Sequence, residues 1–142
     1  MKLLILNGPN LNLLGRREKE IYGTQTYEDL VRFIRTRARE LSVEAEILQS
    51  NHEGALVDAI QAAYGCFDGI VINPAAYTHT SVAILDALRA VALPAVEVHL
   101  SDITRREPFR RISYAGMACE AHFIGMGFEG YAKAMEYLAA RR

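Results

Sequence analysis

Short apolar runs recur along this chain, and each is followed by a polar turn and then by a stretch of helical period. Leu3 to Leu6 is the first, and Gly69-Ile70-Val71-Ile72 and Ala95 to Leu100 follow. Strands and helices in alternation leave few folds open. Strands joined through a helix run parallel, their crossovers are right-handed, and helices cover both faces of the sheet.

Lys2–Asn7 reads as the first strand. Tyr27–Leu41 carries Leu30, Val31, Ile34, Ala38 and Leu41 at helical spacing, with Thr26 as N-cap and Asp29 three residues on. Val43–Gln49 alternates Val43, Ala45 and Ile47 with Glu44 and Glu46, as a half-buried edge strand does. Glu53–Tyr64 is a second helix, Phe67–Asn73 a central strand, His79–Val91 a third helix and Ala95–Leu100 a fourth strand. Residues 101–118 are irregular and hold Arg105, Arg106, Arg110 and Arg111. His122–Met126 is a short fifth strand, and Phe128–Ala140 is the last helix, with Tyr131, Ala134, Met135 and Leu138 apolar. Five strands with four or five helices predict a flavodoxin-like three-layer α/β sandwich, a parallel sheet in the order 2-1-3-4-5.

The 142 residues are expected to form a single domain over 1–142, and 51% hydrophobic residues suffice for its core. A formal net charge of −1 offers no bulk attraction to nucleic acid or an anionic membrane. No apolar run approaches the roughly 18 residues of a membrane helix. The start, MKLLILNGPN, turns polar too early for a signal peptide. Cys66 and Cys119, without a CxxC pair, are expected to be buried thiols in a reducing cytoplasm. Four histidines without a Cys/His cluster argue against structural zinc.

In sheets of this order, ligands sit beyond the carboxyl ends of the strands, at the switch point between strands 1 and 3. Asn7-Gly8-Pro9-Asn10 follows strand 1, Ser50-Asn51-His52 follows strand 2, and Asn73-Pro74-Ala75-Ala76-Tyr77-Thr78-His79 follows strand 3. Glu97, His99 and Ser101-Asp102 end strand 4. Four strand ends aim polar groups at one rim.

Strand alternation puts Glu97 and His99 on one face. A carboxylate beside an imidazole fixes its tautomer and favours a proton on it, which makes a general acid; a hydrogen-bonded core histidine is the alternative. His79, at an expected helix start, is placed for a polar ligand or for capping. Asn73 suits either a substrate hydroxyl or a turn before Pro74. His52 and His122 are assigned to surface or packing. After strand 1 the chain stays irregular for roughly twenty residues, a length typical of functional lids. That segment holds Arg16, Arg17 and Tyr22 between Gly15 and Gly23. A tyrosine beside an arginine is a usable base if its phenol is brought down from about 10; a loop-packing tyrosine is the alternative. Arg110 could clamp a carboxylate, or belong to a solvated basic loop.

Other chemistries fit poorly. GPNLNLLG lacks the GK[ST] of a P-loop and the GxGxxG of a dinucleotide site, and is too poor in Ser and Thr for a flavin phosphate. The remaining pattern fits proton abstraction beside a carbonyl with loss of a hydroxyl, and no metal or organic cofactor is called for.

NGPNLNLLGRREKEIYG, INPAAYTHTSVAILDAL, VEVHLSD and EPFRRISY resemble, in order and spacing, the signature blocks of the type II 3-dehydroquinate dehydratase family. The resemblance implies a flavodoxin-like fold and a homododecamer built as four trimers. It implies conversion of 3-dehydroquinate to 3-dehydroshikimate by anti elimination through an enolate, in the shikimate pathway or in quinate breakdown. By position, Tyr22 is the base and Arg17 holds it ionised and stabilises the transition state. Asn10 orders a water at the enolate oxygen. His99, oriented by Glu97, protonates the leaving hydroxyl. Asn73, His79 and Arg110 bind ring hydroxyls, the N–H groups of Leu100 and Ser101 hold the carboxylate, and Asp86 reaches a neighbouring subunit's site. Arg106 matches a further basic position. Two departures stand out: Lys19 replaces a frequent proline, and Pro74-Ala75-Ala76 stands where glycines are frequent.

Two other readings remain. One is a flavodoxin-like module that binds a polyhydroxy acid without turnover. The other, a Schiff-base dehydratase of the unrelated type I class, needs a buried lysine, and Lys2, Lys19 and Lys133 are poorly placed for it.

Overall fold

The apolar runs form the middle of a five-stranded parallel sheet. The computed structural model describes residues 1–16 and 23–141. The strands are β1 (Lys2–Asn7), β2 (Glu44–Gln49), β3 (Gly69–Asn73), β4 (Ala95–His99) and β5 (Ala121–Ile124), in the order β2-β1-β3-β4-β5. Every neighbouring pair is parallel. The helices are α1 (Tyr27–Glu40), α2 (Glu53–Ala63), α3 (Val82–Val91) and α4 (Glu129–Ala140).

Two cores lie on the two faces of the sheet. On one, Leu3, Ile5, Val71, Val96 and Val98 meet Leu30 and Ile34 of α1 and Tyr131, Met135 and Leu138 of α4. On the other, Leu4, Leu6, Ile70 and Ile72 meet Leu56 and Ile60 of α2 and Ile84, Leu88 and Val91 of α3. Each fully buried aliphatic side chain contributes about 1.5–3 kcal/mol. β3 and β4 are buried along their whole length, whereas the edge strand β2 alternates between exposed and half-buried residues, as its charge pattern requires.

Local sequence sets the helix ends. Thr26 and Asp29 form a capping box: the Asp29 N–H donates to Thr26 Oγ1 at 3.2 Å, and the Thr26 N–H donates to Asp29 Oδ2 at 2.9 Å. α3 begins at Val82 rather than His79, because Ser81 Oγ accepts from the Ile84 N–H at 2.9 Å and caps the helix there. Residues Ala75–His79 form a separate 3-10 turn behind Pro74. His79 therefore closes that turn and does not sit at a helix N-terminus. The irregular stretch 101–118 contains three more 3-10 turns, Ile103–Arg105, Pro108–Arg111 and Ala115–Ala118.

Cys66 is exposed, contrary to expectation, since it falls in the turn that ends α2. Cys119 is half-buried, and its thiol donates to the Ala115 carbonyl at 3.4 Å. Among the described residues, no helix is long and apolar enough to cross a membrane.

Candidate active site

The carboxyl ends of β1, β3 and β4 open into one cleft. Pro9, Asn10, Leu11, Asn73, Ala75, Ala76, His79, His99, Leu100, Ser101, Ile103, Arg106 and Arg110 line it. It lies at the switch point, where β2 and β3 flank β1.

The turn after β1 passes very close to the turn after β3. The Gly8 N–H donates to the Asn73 carbonyl at 2.8 Å, and a Cβ at Gly8 would stand 2.4 Å from the Pro74 carbonyl oxygen. Only glycine permits that approach. Asn10 follows in the left-handed region, at φ 70°, with its N–H donating to Asn51 Oδ1 at 3.0 Å. Gln49 Nε2 donates to the Gly8 carbonyl and to Asn51 Oδ1, each at 3.1 Å. The end of β2 thus braces the loop that carries Asn10.

Beneath the cleft lies a neutral network. The buried Tyr131 hydroxyl donates to Asn7 Oδ1 at 2.6 Å and accepts from Asn73 Nδ2 at 2.9 Å. Burial pushes the Tyr131 phenol well above the ordinary range, although the Asn73 bond works against this. Asn73 Oδ1 accepts from the Ala75 N–H at 3.1 Å. Asn73 therefore acts as the turn former behind Pro74 while also lining the cleft. Ala75 itself has φ 52°, so the departure from glycine puts a Cβ where the backbone is left-handed.

Beside it lies a charged network. Glu97, 1% exposed, shares its face of β4 with His99, whose Nε2 lies 2.9 Å from Glu97 Oε2. The same oxygen accepts from Thr78 Oγ1 at 3.3 Å and from Ser113 Oγ. The other oxygen, Oε1, lies 2.7 Å from His122 Nδ1. Burial opposes ionisation of Glu97, but the bonds from His99, Ser113 and His122 outweigh it and bring the carboxyl down to about 2. A carboxylate only accepts, so His99 Nε2 and His122 Nδ1 both carry protons. Gly116 makes room for this cluster: a Cβ there would stand 2.6 Å from Glu97 Oε1. No buried side-chain nitrogen or oxygen among the described residues lacks a hydrogen-bond partner.

His79 Nδ1 lies 2.8 Å from the Ile112 carbonyl, so it donates, and Nε2 is the other ring nitrogen. Burial lowers the His79 pKa, with the Ile112 bond opposing. Arg110 Nε donates to Glu107 Oε2 at 2.5 Å while the side chain lines the cleft. Leu100 and Ser101 line it where β4 has ended. Asp86 is exposed on α3 and does not line this cleft. Arg17 and Tyr22 lie outside the described residues. Of the other expected groups, the structure brings Asn10, Asn73, His79, His99, Leu100, Ser101 and Arg110 to one cleft, with Glu97 behind His99.

Two contributors escape a sequence reading. His122 is exposed as expected but also binds Glu97; the signal is register, since Glu97 and His122 are paired across β4 and β5. Tyr131 reads as a plain apolar helix residue, yet its hydroxyl joins the ends of two strands.

The structure thus presents a polar cleft at the switch point of a flavodoxin-like α/β sheet, floored by a carboxylate-held imidazole and rimmed by arginine. Residues 1–139 match the family described as Dehydroquinase class II, and the chain belongs to that family. It is 53% identical to the 3-dehydroquinate dehydratase of Clostridium acetobutylicum over 92% of this chain and 91% of that protein. It also superposes on the type II dehydroquinase of Butyrivibrio crossotus with a TM-score of 0.95, at 51% identity, covering 97% of each chain. The type II dehydroquinase of Propionibacterium acnes gives a TM-score of 0.94 at 41% identity, covering 98% of this chain and 96% of that one.

Proposed function

We propose that this chain dehydrates 3-dehydroquinate to 3-dehydroshikimate by anti elimination; the observation that carries the reading is His99 in the cleft lining with its Nε2 2.9 Å from the buried Glu97 Oε2. Family membership supports the reaction, and the network supplies its acid. Tyr22, held as phenolate by Arg17, takes the C2 proton. The electron pair moves into an enolate, whose oxygen is steadied by a water that Asn10 orders. The bond from C1 to its hydroxyl oxygen then breaks, and the hydroxyl leaves as water with a proton from His99. The bonds from His99, Ser113 and His122 hold the Glu97 carboxyl down to about 2, so it is charged at neutral pH. It therefore orients the His99 imidazole through Nε2. With Nε2 committed to Glu97, Nδ1 is the nitrogen that transfers the proton.

Asn73, His79 and Arg110 bind ring hydroxyls, and the N–H groups of Leu100 and Ser101 receive the carboxylate, with the charge of Arg110 nearby. The exposed position of Asp86 on α3 suits service to a neighbouring subunit's cleft, as in a homododecamer of four trimers. We place the enzyme in the cytoplasm, as one catalytic domain serving aromatic biosynthesis or quinate breakdown.

The test is to mix protein with 3-dehydroquinate, without metal or cofactor, and follow the ultraviolet absorbance of the conjugated enone. A rise that survives chelator and vanishes in Tyr22→Phe is expected. A folded protein that produces no rise would instead be a binding module, and a rise unchanged in Tyr22→Phe would remove the tyrosine from the mechanism.

A further inference from the structure

Glu97 is held on both sides by imidazoles, and only one of them lines the cleft. His99 takes Oε2 at 2.9 Å, and His122 takes Oε1 at 2.7 Å from the neighbouring strand. His122 is the shorter contact, and its side chain is 45% exposed. We propose that His122 is a positioning residue for the imidazole of His99: by taking Glu97 Oε1, it sets how much of the carboxylate's charge His99 receives. This rests on the reading of His99 as the acid.

The physical basis is competition for one charge. When His122 gains a proton at Nε2, its Nδ1–H becomes a charge-assisted donor and draws Glu97 toward it. Two protonated imidazoles on one carboxylate also repel each other. Protonation of either therefore disfavours protonation of the other. Other charged and titratable groups around this carboxylate come from several elements. His79, in the turn after β3, feels the charges of both Glu97 and His99, and lies within the field of Arg110. Cys119, before β5, is pushed up to about 12 by burial and by Glu97, so its thiol stays neutral. Thr78 and Ser113 bind the carboxylate without charge. Among these groups, His122 is the imidazole that shares Glu97 directly with His99.

The experiment is a histidine NMR titration of the free protein as wild type, His122→Val and His122→Asn, beside kcat–pH profiles of all three. Val removes the donor from Oε1, while Asn keeps an N–H donor without a titrating charge. In His122→Val the His99 midpoint is expected to rise by about one unit, as the carboxylate's charge concentrates on it. In His122→Asn it is expected to stay close to the wild-type value. The alkaline limb of kcat should follow the His99 midpoint with KM nearly constant. An unmoved His99 midpoint in His122→Val overturns the proposal, and so does an equal rise in both variants. A midpoint that moves while the kcat limb stays supports the coupling and counts against His99 as the acid.

Discussion

The two polar networks under the cleft solve one problem in opposite ways. Tyr131 ties Asn7 to Asn73 with neutral groups, each acting as donor to one partner or acceptor from another. His99, Ser113, Thr78 and His122 instead surround a buried charge, Glu97. A buried neutral group needs only its hydrogen bonds, whereas a buried charge costs several kcal/mol even after relaxation and depends on every partner. The neutral network holds strand ends in place. The charged one sets a carboxylate against the imidazole that lines the cleft. Their pH responses are opposite as well. The charged network fails in acid, and the neutral one fails in base.

The largest expected effect breaks the charge and keeps the shape. Glu97→Gln should lower kcat by roughly two to four orders of magnitude, the usual range for a general acid, with a folded protein by circular dichroism. A kcat within threefold of wild type would mean that the charge does no catalytic work.

Acid titration separates the networks next. The folded Glu97 carboxyl is depressed from 4.5 to about 2. Its stabilisation is therefore present above the unfolded value and is lost as pH falls through the folded one. That window, from about pH 4.5 down to about 2, should carry on the order of 3 kcal/mol. Urea unfolding of wild type and Glu97→Gln across it should show the wild type losing more; parallel curves would contradict the assignment. The Tyr131 phenol is raised, so its contribution is present below the ordinary tyrosine value and is lost as pH rises above it.

Tyr131→Phe tests the neutral side. It leaves Asn7 Oδ1 and Asn73 Nδ2 without their shared partner and should cost roughly 2–4 kcal/mol in unfolding free energy. Turnover per folded molecule should fall far less than in Glu97→Gln. An equal fall would erase the distinction between the networks.

The smallest effect is expected at Ala75, on the margin of the neutral network. Ala75→Gly relieves a left-handed alanine, less the entropy glycine brings to the unfolded chain, for a net gain of about 0.5–1 kcal/mol. A lower Tm in that variant would show the turn is unstrained.

Much of this was legible in the residues. The alternation in Val43–Gln49 marks an edge because one face of β2 is wet. The spacing of Glu97 and His99 puts them on one face because strands have a period of two, and Val96 and Val98 fill the opposite core. The Thr26–Asp29 box is a local signal read correctly for that reason. What escaped is non-local or hidden by turn geometry. Tyr131 meets Asn7 across 124 positions of sequence, and His122 meets Glu97 only through the β4–β5 register. The helical spacing reaches back to His79, but His79 closes the 3-10 turn Ala75–His79, and Ser81 caps α3 so that it starts at Val82. The roles of Arg17 and Tyr22 are readable as chemistry but lie outside the described residues.

The division of labour is tested most directly by His99→Ala, with exchange of the C2 proton of 3-dehydroquinate into deuterated water measured alongside water loss. Elimination is predicted to collapse while exchange at C2 survives to a greater degree, since the proposed mechanism gives His99 the leaving hydroxyl and Tyr22 the C2 proton. Equal loss of both steps would contradict the account and reduce the Glu97–His99 pair to a structural or substrate-binding device.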